Sequence, residues 1–128
     1  MKKRMYDDQK KMLKSCLDYI EQSIGQGKSY SQISKGLEMQ FHSNYGTLRN
    51  LFSTYAPFPL SKYIKRRIYT EAYLKYKKNR IYVSTRDEYE GINQFKTKFT
   101  KEFNVDITDD YSADDLQPKL DIDAIHRQ

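Results

Sequence analysis

A pair of large apolar residues that recurs 47 positions later, from Leu48 to Phe95, constrains the fold of this chain more than any other feature. Leu48-Arg49-Asn50-Leu51-Phe52 is matched by Phe95-Lys96-Thr97-Lys98-Phe99, and the same offset places Pro57-Phe58 over Asn104-Val105. In each copy the two large residues lie four positions apart, which puts them on one face of a helix and the residues between them on another. The repeat predicts two similar small helical units in tandem.

The length of the chain, 128 residues, suits one domain or two very small ones. A unit of roughly 50 residues buries too little surface to be stable alone, so we expect both units to share a core with a connecting helix. Twelve Tyr and six Phe supply bulky core residues. Because a Tyr hydroxyl can stay hydrated, not every Tyr needs to be buried.

Apolar spacing predicts the helices of the first half of the chain. The stripe of a first amphipathic helix, from about residue 7 to 24, consists of Met5, Met12, Cys16, Leu17, Ile20 and Ile24. Ser34 is a candidate N-cap for a short second helix that carries Leu37 and Phe41. After a turn at His42-Ser43, Asn44 caps a third helix that continues to about Tyr55. Two helices joined by a tight turn predict a helix-turn-helix.

The second half repeats this arrangement after a longer helix. Pro57 and Pro59 stop the third helix, and a helix from about residue 60 to 77 follows. A second short pair is predicted at about 82–87 and 92–102, followed by a weakly ordered acidic tail with a short helix near 113–116. The expected fold is all-α with about seven helices. Its predicted parts are a first unit at 7–57, a linker helix at 58–78, a second unit at 79–105 and a tail at 106–128.

Charge is distributed unevenly along the chain. Residues 1–103 hold 21 Lys and Arg against 10 Asp and Glu, whereas residues 104–128 hold two basic and seven acidic residues. A basic body with an acidic tail favours a polyanionic partner for the body. A well-hydrated charged surface is the alternative interpretation.

Several classes of function are not expected from these residues. Cys16 is the only cysteine and is predicted to be a core residue; with two distant histidines it makes no zinc ligand set. No phosphate-binding glycine loop or catalytic triad can be assigned, so we expect neither a metal, nor a cofactor, nor an enzyme. The longest uncharged run, at 50–61, is polar and contains two prolines, so no membrane span is expected. Because Asp7-Asp8 follows Lys2-Lys3-Arg4, no signal peptide is expected either, and a cytoplasmic location is predicted.

Short stretches of residues 17–105 resemble the DNA-binding domain of the AraC/XylS family of bacterial transcription regulators. The stretches that carry the resemblance are Leu37-Glu38-Met39-Gln40-Phe41-His42-Ser43-Asn44, Leu48 with Phe52, Tyr63 with Arg67 and Ala72, Phe95 with Phe99, and Phe103-Asn104-Val105. The resemblance implies two helix-turn-helix subdomains joined by a linker helix, with recognition helices about one DNA turn, roughly 34 Å, apart. The size is that of the short, MarA-like members of the family.

The resemblance also implies the partners. A transcription regulator that binds double-stranded DNA at the nucleoid is expected, as a monomer, with RNA polymerase as a second candidate partner.

His42 and Glu88 stand where the family has turn glycines, and Pro57 and Asn104 replace the glycines after the recognition helices. Asp87, Glu88 and Glu90 would repel phosphates. We therefore expect the first unit to recognise sequence and the second to bind weakly or without sequence preference.

Candidate DNA contacts follow from mapping the family onto this sequence. The predicted base contacts are Tyr45, Gly46, Arg49, Asn50 and Ser53 in the first unit and Ile92, Lys96 and Thr97 in the second; the predicted backbone contacts are Lys62, Lys65, Arg66, Lys98 and Lys101. Arg can bond a guanine edge and Asn an adenine edge through two hydrogen bonds. Lysines reach phosphates, which adds affinity without sequence information.

Other residues of the same stretches are assigned to structure. Arg67 is expected in an ion pair or a cap. The predicted core residues of the repeat and linker are Leu48, Phe52, Tyr63, Ala72, Phe95 and Phe99.

The alternative to a DNA-binding regulator is a protein-interaction module that kept the fold but lost much of its DNA recognition, or the DNA-binding part of a larger regulator. A further variant has the acidic tail covering the basic face.

Overall fold

The computed structural model describes residues 2–79 and 91–122, and the described chain is all-helical. Its helices are α1 (Lys2–Gly25), α2 (Tyr30–Phe41), α3 (Tyr45–Tyr55), α4 (Leu60–Asn79) and α5 (Ile92–Phe103), with a 3-10 helix at Ala113–Asp115. The all-α prediction is confirmed for these residues. The helix predicted at 82–87 lies outside them, and the expected total of about seven helices stays a prediction.

The start of α2 corrects the sequence analysis. The helix is capped by Ser29, not Ser34: the Ser29 Oγ accepts the Gln32 N–H at 3.3 Å, and the Gln32 Oε1 accepts the Ser29 N–H at 3.1 Å. A Ser followed three residues later by Gln is the capping-box pattern, which satisfies two helix N–H groups at once. Ser34 lies inside the helix, and its hydroxyl donates to the Ser31 carbonyl at 3.1 Å. The prediction of a Ser34 cap was therefore wrong.

The turn between α2 and α3 is short and well defined. His42 ends α2 in the left-handed region, at φ 50° and ψ 42°, and its N–H donates to the Glu38 carbonyl. Asn44 caps α3 as predicted, since its Oδ1 accepts the Thr47 N–H at 2.8 Å. Asn104 ends α5 at φ 57°. Asn tolerates this conformation better than most residues, whereas His42 adopts it where glycine is the least strained choice.

The first hydrophobic cluster is enclosed by α1, α2, α3 and the N-terminal half of α4. Its fully buried members include Ile20, Ile33, Leu37, Phe52 and Ile64, and Leu48 and Cys16 are also buried. Gly36 leaves room for the Tyr19 ring of α1 to lie against α2, because a Cβ at this position would overlap the Tyr19 hydroxyl oxygen. Burial of each large aliphatic or aromatic side chain contributes about 1.5–3 kcal/mol to stability.

The second cluster lies at the other end of α4. Tyr73 stacks on Phe99 with ring centroids 5.0 Å apart, and Phe95 and Ile107 complete the buried set. Ala72 is half-buried at its edge. Both pairs of the sequence repeat are thus core residues as predicted, and each pair belongs to a different cluster.

The C-terminal segment, residues 104–122, packs against the helices, so the prediction of a weakly ordered tail was wrong for these residues. Ile107 is buried in the second cluster and Ile122 in the first. The Leu120 N–H donates to the Tyr63 hydroxyl at 3.0 Å, and the Gln117 N–H donates to the Thr70 hydroxyl at 3.2 Å. These apolar residues are too far apart in sequence to show a helical period, so the pattern gave no indication of their burial. The short helix predicted near 113–116 is present as the 3-10 turn at Ala113–Asp115.

Candidate nucleic-acid interface

The outward face of α3 carries three of the predicted base contacts. Arg49, Asn50 and Ser53 are exposed. On the opposite face of the same helix, Leu48, Phe52 and Tyr55 are buried. Because one face of α3 is buried in the core, the helix is held in place and these three side chains are directed toward solvent.

Tyr45 and Gly46 form the first turn of α3 and are both half-buried. The Tyr45 hydroxyl lies 3.1 Å from that of Tyr30, and the Tyr45 N–H donates to the Glu38 Oε2 at 3.2 Å. Burial, followed by the interaction with Tyr30, raises the pKa of Tyr45. The structure thus ties Tyr45 to α2. A Cβ at Gly46 would lie 3.3 Å from the Asn44 Oδ1, so a side chain there would press on the cap of α3.

The residues predicted to contact DNA from α5 are placed unequally. Thr97, Lys98 and Lys101 are exposed, and the Thr97 hydroxyl donates to the Asn93 carbonyl at 3.1 Å. Ile92 is half-buried against the second cluster. Lys96 is half-buried too.

Lys96 also lies near a carboxylate. The pKa of Asp106 is lowered by hydrogen bonds from Thr108 and, more weakly, by the charge of Lys96. The acidic residues predicted before α5, Asp87, Glu88 and Glu90, lie outside the described residues.

The predicted backbone contacts on α4 divide into two kinds. Lys62 and Lys65 are exposed, with the Lys65 ammonium 5.1 Å from the centre of the Tyr30 ring. Arg66 instead connects α4 with α5: its Nε donates to the Glu102 Oε1 at 2.7 Å, and its guanidinium lies 5.7 Å from the centre of the Phe103 ring. Nothing in the sequence pairs Arg66 with a residue 36 positions away.

Arg67 is the largest fully buried residue in the described part of the chain, with a side chain only 1% exposed. Its Nη2 donates to the Glu21 Oε1 at 2.7 Å and the Glu71 Oε2 at 3.0 Å, and its Nη1 donates to the Gln117 carbonyl at 2.7 Å. Burial lowers the pKa of Arg67, but the hydrogen bond to Glu21 and the charges of both glutamates outweigh it, so the pKa is raised. The predicted ion pair is confirmed. Of its partners, only Glu71 lies at a helical i,i+4 spacing that sequence could have indicated.

Neither a metal site nor a membrane span was expected from the sequence. Within residues 2–79 and 91–122, no three His, Cys, Asp or Glu side chains are grouped so that they could hold a metal ion. None of the described helices is both long enough and apolar enough to span a membrane.

Comparisons of the chain with protein-family models, with curated proteins and with solved structures find no match.

Proposed function

We propose that this chain is a sequence-specific DNA-binding transcription regulator of the AraC/XylS type, with α2 and α3 as a helix-turn-helix and α3 as its recognition helix. The observation that carries the proposal is the exposed row of Arg49, Asn50 and Ser53 on a helix whose other face is buried. The caps at Ser29 and Asn44 support it, because they hold both helices in a defined relation across a turn at residues 42–44.

The chemistry of the exposed row suits base edges in the major groove. Arg49 can donate two hydrogen bonds to a guanine, and Asn50 can both donate to and accept from an adenine. Lys62 and Lys65, exposed on α4, supply cations for flanking phosphates. The basic body adds a favourable long-range field, with 21 Lys and Arg against 10 Asp and Glu in residues 1–103.

The second unit has a smaller part in the proposed function. In the proposed arrangement α5 is the second recognition helix, and Lys98 and Lys101 contact phosphates while Thr97 faces the groove. Ile92 and Lys96 are half-buried, which leaves less of α5 to contact bases. Arg66 is held by Glu102, which reduces its contribution to backbone contact.

Selection of bound sequences from a random duplex library, at two salt concentrations, tests the proposal. Two half-sites about 10 base pairs apart would support contact by both units, and one half-site would support α3 alone. A lack of any enriched sequence at low salt would overturn the proposal. For each phosphate contacted, the logarithm of the affinity for the selected site should fall by about 0.9 per tenfold rise in salt concentration.

Arg49 offers the sharpest single test. Arg49→Ala should weaken binding to the selected site by about 1–3 kcal/mol, because one bidentate base contact is lost. Arg49→Lys is the matched control: it keeps the charge but cannot form the planar two-bond contact. It should retain affinity for random duplex and lose preference at one base. Unchanged preference in both variants, measured by fluorescence anisotropy, would exclude Arg49 from recognition.

A protein-interaction module is the second candidate function. Met39 on α2 favours it, because this large apolar side chain is 78% exposed. The pairing of Tyr45 with Tyr30 and of Arg66 with Glu102 also favours it, since both reduce the surface offered to DNA. Sequence selection that yields no motif, together with loss of a protein partner on Met39→Ser, would favour this function over DNA recognition.

A further inference from the structure

A cleft of about 400 Å³ opens where the end of α1 meets the second half of α4 and the C-terminal segment. Its apolar lining comes from Ile24, Ile68, Ala72 and Leu74. This volume lies within the range of roughly 300–1,000 Å³ that is usual for small-molecule sites. The cleft thus has the size and the apolar surface to accept the body of a small organic molecule.

The charged lining of this cleft is dominated by four lysines, Lys28, Lys75, Lys78 and Lys119. The two carboxylates in the lining, Glu21 and Glu71, are both bound by the buried Arg67, at 2.7 Å and 3.0 Å. One guanidinium balances only one of these two carboxylates, so the lining carries four lysine charges against a single net negative charge. A molecule in the cleft would therefore meet an excess of positive charge.

The lysines themselves are held by few interactions within the protein. Lys75, Lys78 and Lys119 are exposed and form no ion pair with another described residue. Lys28 is half-buried, with its ammonium 5.7 Å from the centre of the Tyr19 ring. Four like charges around one cleft repel each other, so an anion bound among them is electrostatically favoured.

We propose that this lysine cleft binds a small organic anion: a molecule with a carboxylate, sulfonate or phosphate head and an aromatic or aliphatic body. The head contacts the lysines, and the body covers the surface formed by Ile24, Ile68 and Leu74. An inorganic anion would leave that apolar surface in water, and a neutral apolar molecule would leave the lysines without a counterion. The proposal does not depend on DNA binding, because it uses neither α3 nor Lys62 and Lys65.

Titration of the full chain with anilinonaphthalenesulfonate tests the proposal, with N-phenylnaphthylamine as a neutral probe of nearly the same body. Saturable one-to-one binding of the sulfonate, with much weaker binding of the neutral probe, is the expected result. Equal binding of both probes, or no saturation by the sulfonate, would overturn it.

Paired variants show where the probe binds. The double variant Lys75→Gln with Lys78→Gln should weaken sulfonate binding by about tenfold. Each substitution removes an attraction comparable to that of an exposed ion pair. Lys62→Gln with Lys65→Gln removes the same charge from the same helix outside the cleft and should leave binding unchanged. An equal loss in both double variants would mean non-specific attraction to a basic protein and would overturn the site.

A measurement on the unaltered chain keeps the test valid if a variant fails to fold. Amide chemical-shift changes on addition of the sulfonate should concentrate at Gly25, Gly27, Ala72 and Lys119. Changes concentrated on α3 or on residues 60–66 of α4 would place the probe on the proposed DNA face and would refute the lysine cleft.

Discussion

At the residue scale, two neighbouring arginines on α4 have opposite environments. The Arg67 side chain is 1% exposed and is bonded to Glu21, Glu71 and Gln117, whereas the Arg66 side chain is 27% exposed and pairs with Glu102. A buried charge is tolerated only when its partners replace the lost water. Arg67 thus connects α1, α4 and the C-terminal segment through Glu21, Glu71 and Gln117.

Arg67→Met should lower the free energy of unfolding by about 3–5 kcal/mol, because Glu21 and Glu71 lose their counter-charge and the buried Gln117 carbonyl loses a donor. Arg66→Met, one position away, should cost only about 1 kcal/mol, since its ion pair and its ring contact are partly hydrated. Urea denaturation followed by circular dichroism measures both values. Equal losses in the two variants would contradict the assignment of Arg67 as the residue that joins α1, α4 and the C-terminal segment.

Cys16 should be unreactive in the folded protein. Its side chain is 5% exposed, and burial raises its thiol pKa from 9.0 to about 11. Since the thiolate is the reactive form, Ellman's reagent at pH 8 should label Cys16 slowly in buffer and rapidly in guanidinium chloride.

The same shift in pKa has a consequence for stability. Folding favours the neutral thiol, so the contribution of Cys16 is fully present below pH 9 and is lost as pH rises toward 11. The stability difference between the unaltered protein and Cys16→Ala should shrink over that interval. Fast labelling of the native protein at pH 8 would contradict both predictions for Cys16, because it would show that the thiol is accessible.

At the element scale, the helices differ in how firmly they begin. Side chains cap α2 at Ser29 and α3 at Asn44, whereas α5 begins at Gly91 with no side-chain cap. A cap satisfies N–H groups that have no partner inside the helix. The N-termini of α2 and α3 are therefore more firmly held than that of α5.

Ser29→Ala should lower the free energy of unfolding by about 1 kcal/mol or more, because the capping box with Gln32 is lost. Ser34→Ala is the control within the same helix, and it should change stability by less than about 0.5 kcal/mol. Thermal unfolding of the two variants separates them. A larger loss of stability in Ser34→Ala than in Ser29→Ala would mean that Ser34, and not Ser29, caps α2.

At the scale of the whole molecule, α4 and the C-terminal segment join two hydrophobic clusters. Tyr63 belongs to the first cluster and Tyr73 to the second, and both are on α4. The segment after α5 also reaches both, with Ile107 in the second cluster and Ile122 in the first. The two halves of the repeat are therefore held together by one helix and one irregular segment that runs beside it.

Ile122→Ala should reduce the free energy of unfolding by about 2–5 kcal/mol, because a buried side chain of the first cluster is removed and a cavity remains. Lys119→Ala, three residues earlier and exposed, should have an effect within about 0.5 kcal/mol. Denaturant titration of both variants gives the comparison. A negligible effect of Ile122→Ala would mean that Ile122 contributes nothing to the first cluster.

Local patterns predicted much of the fold and part of the candidate site. The repeated pairs Leu48 with Phe52 and Phe95 with Phe99 are buried, and Asn44 caps α3, because spacing and capping are properties of a few adjacent residues. The exposure of Arg49 and Asn50 followed from the same helical period. Ser34 was the wrong cap, since apolar spacing carries no information on capping, whereas Ser29 followed by Gln32 is the capping-box pattern.

What the sequence determined alone is therefore the all-helical character of the described chain and the buried faces of its helices. The tertiary structure decided which charged residues are available to a partner: Arg66 is held by Glu102, Arg67 by Glu21, and four lysines meet at one cleft. It also decided that the acidic segment packs on the core. The physical reason is that helical periodicity is written within a few residues. Pairing of charges and burial of isolated apolar residues depend on segments that meet only when the chain is folded.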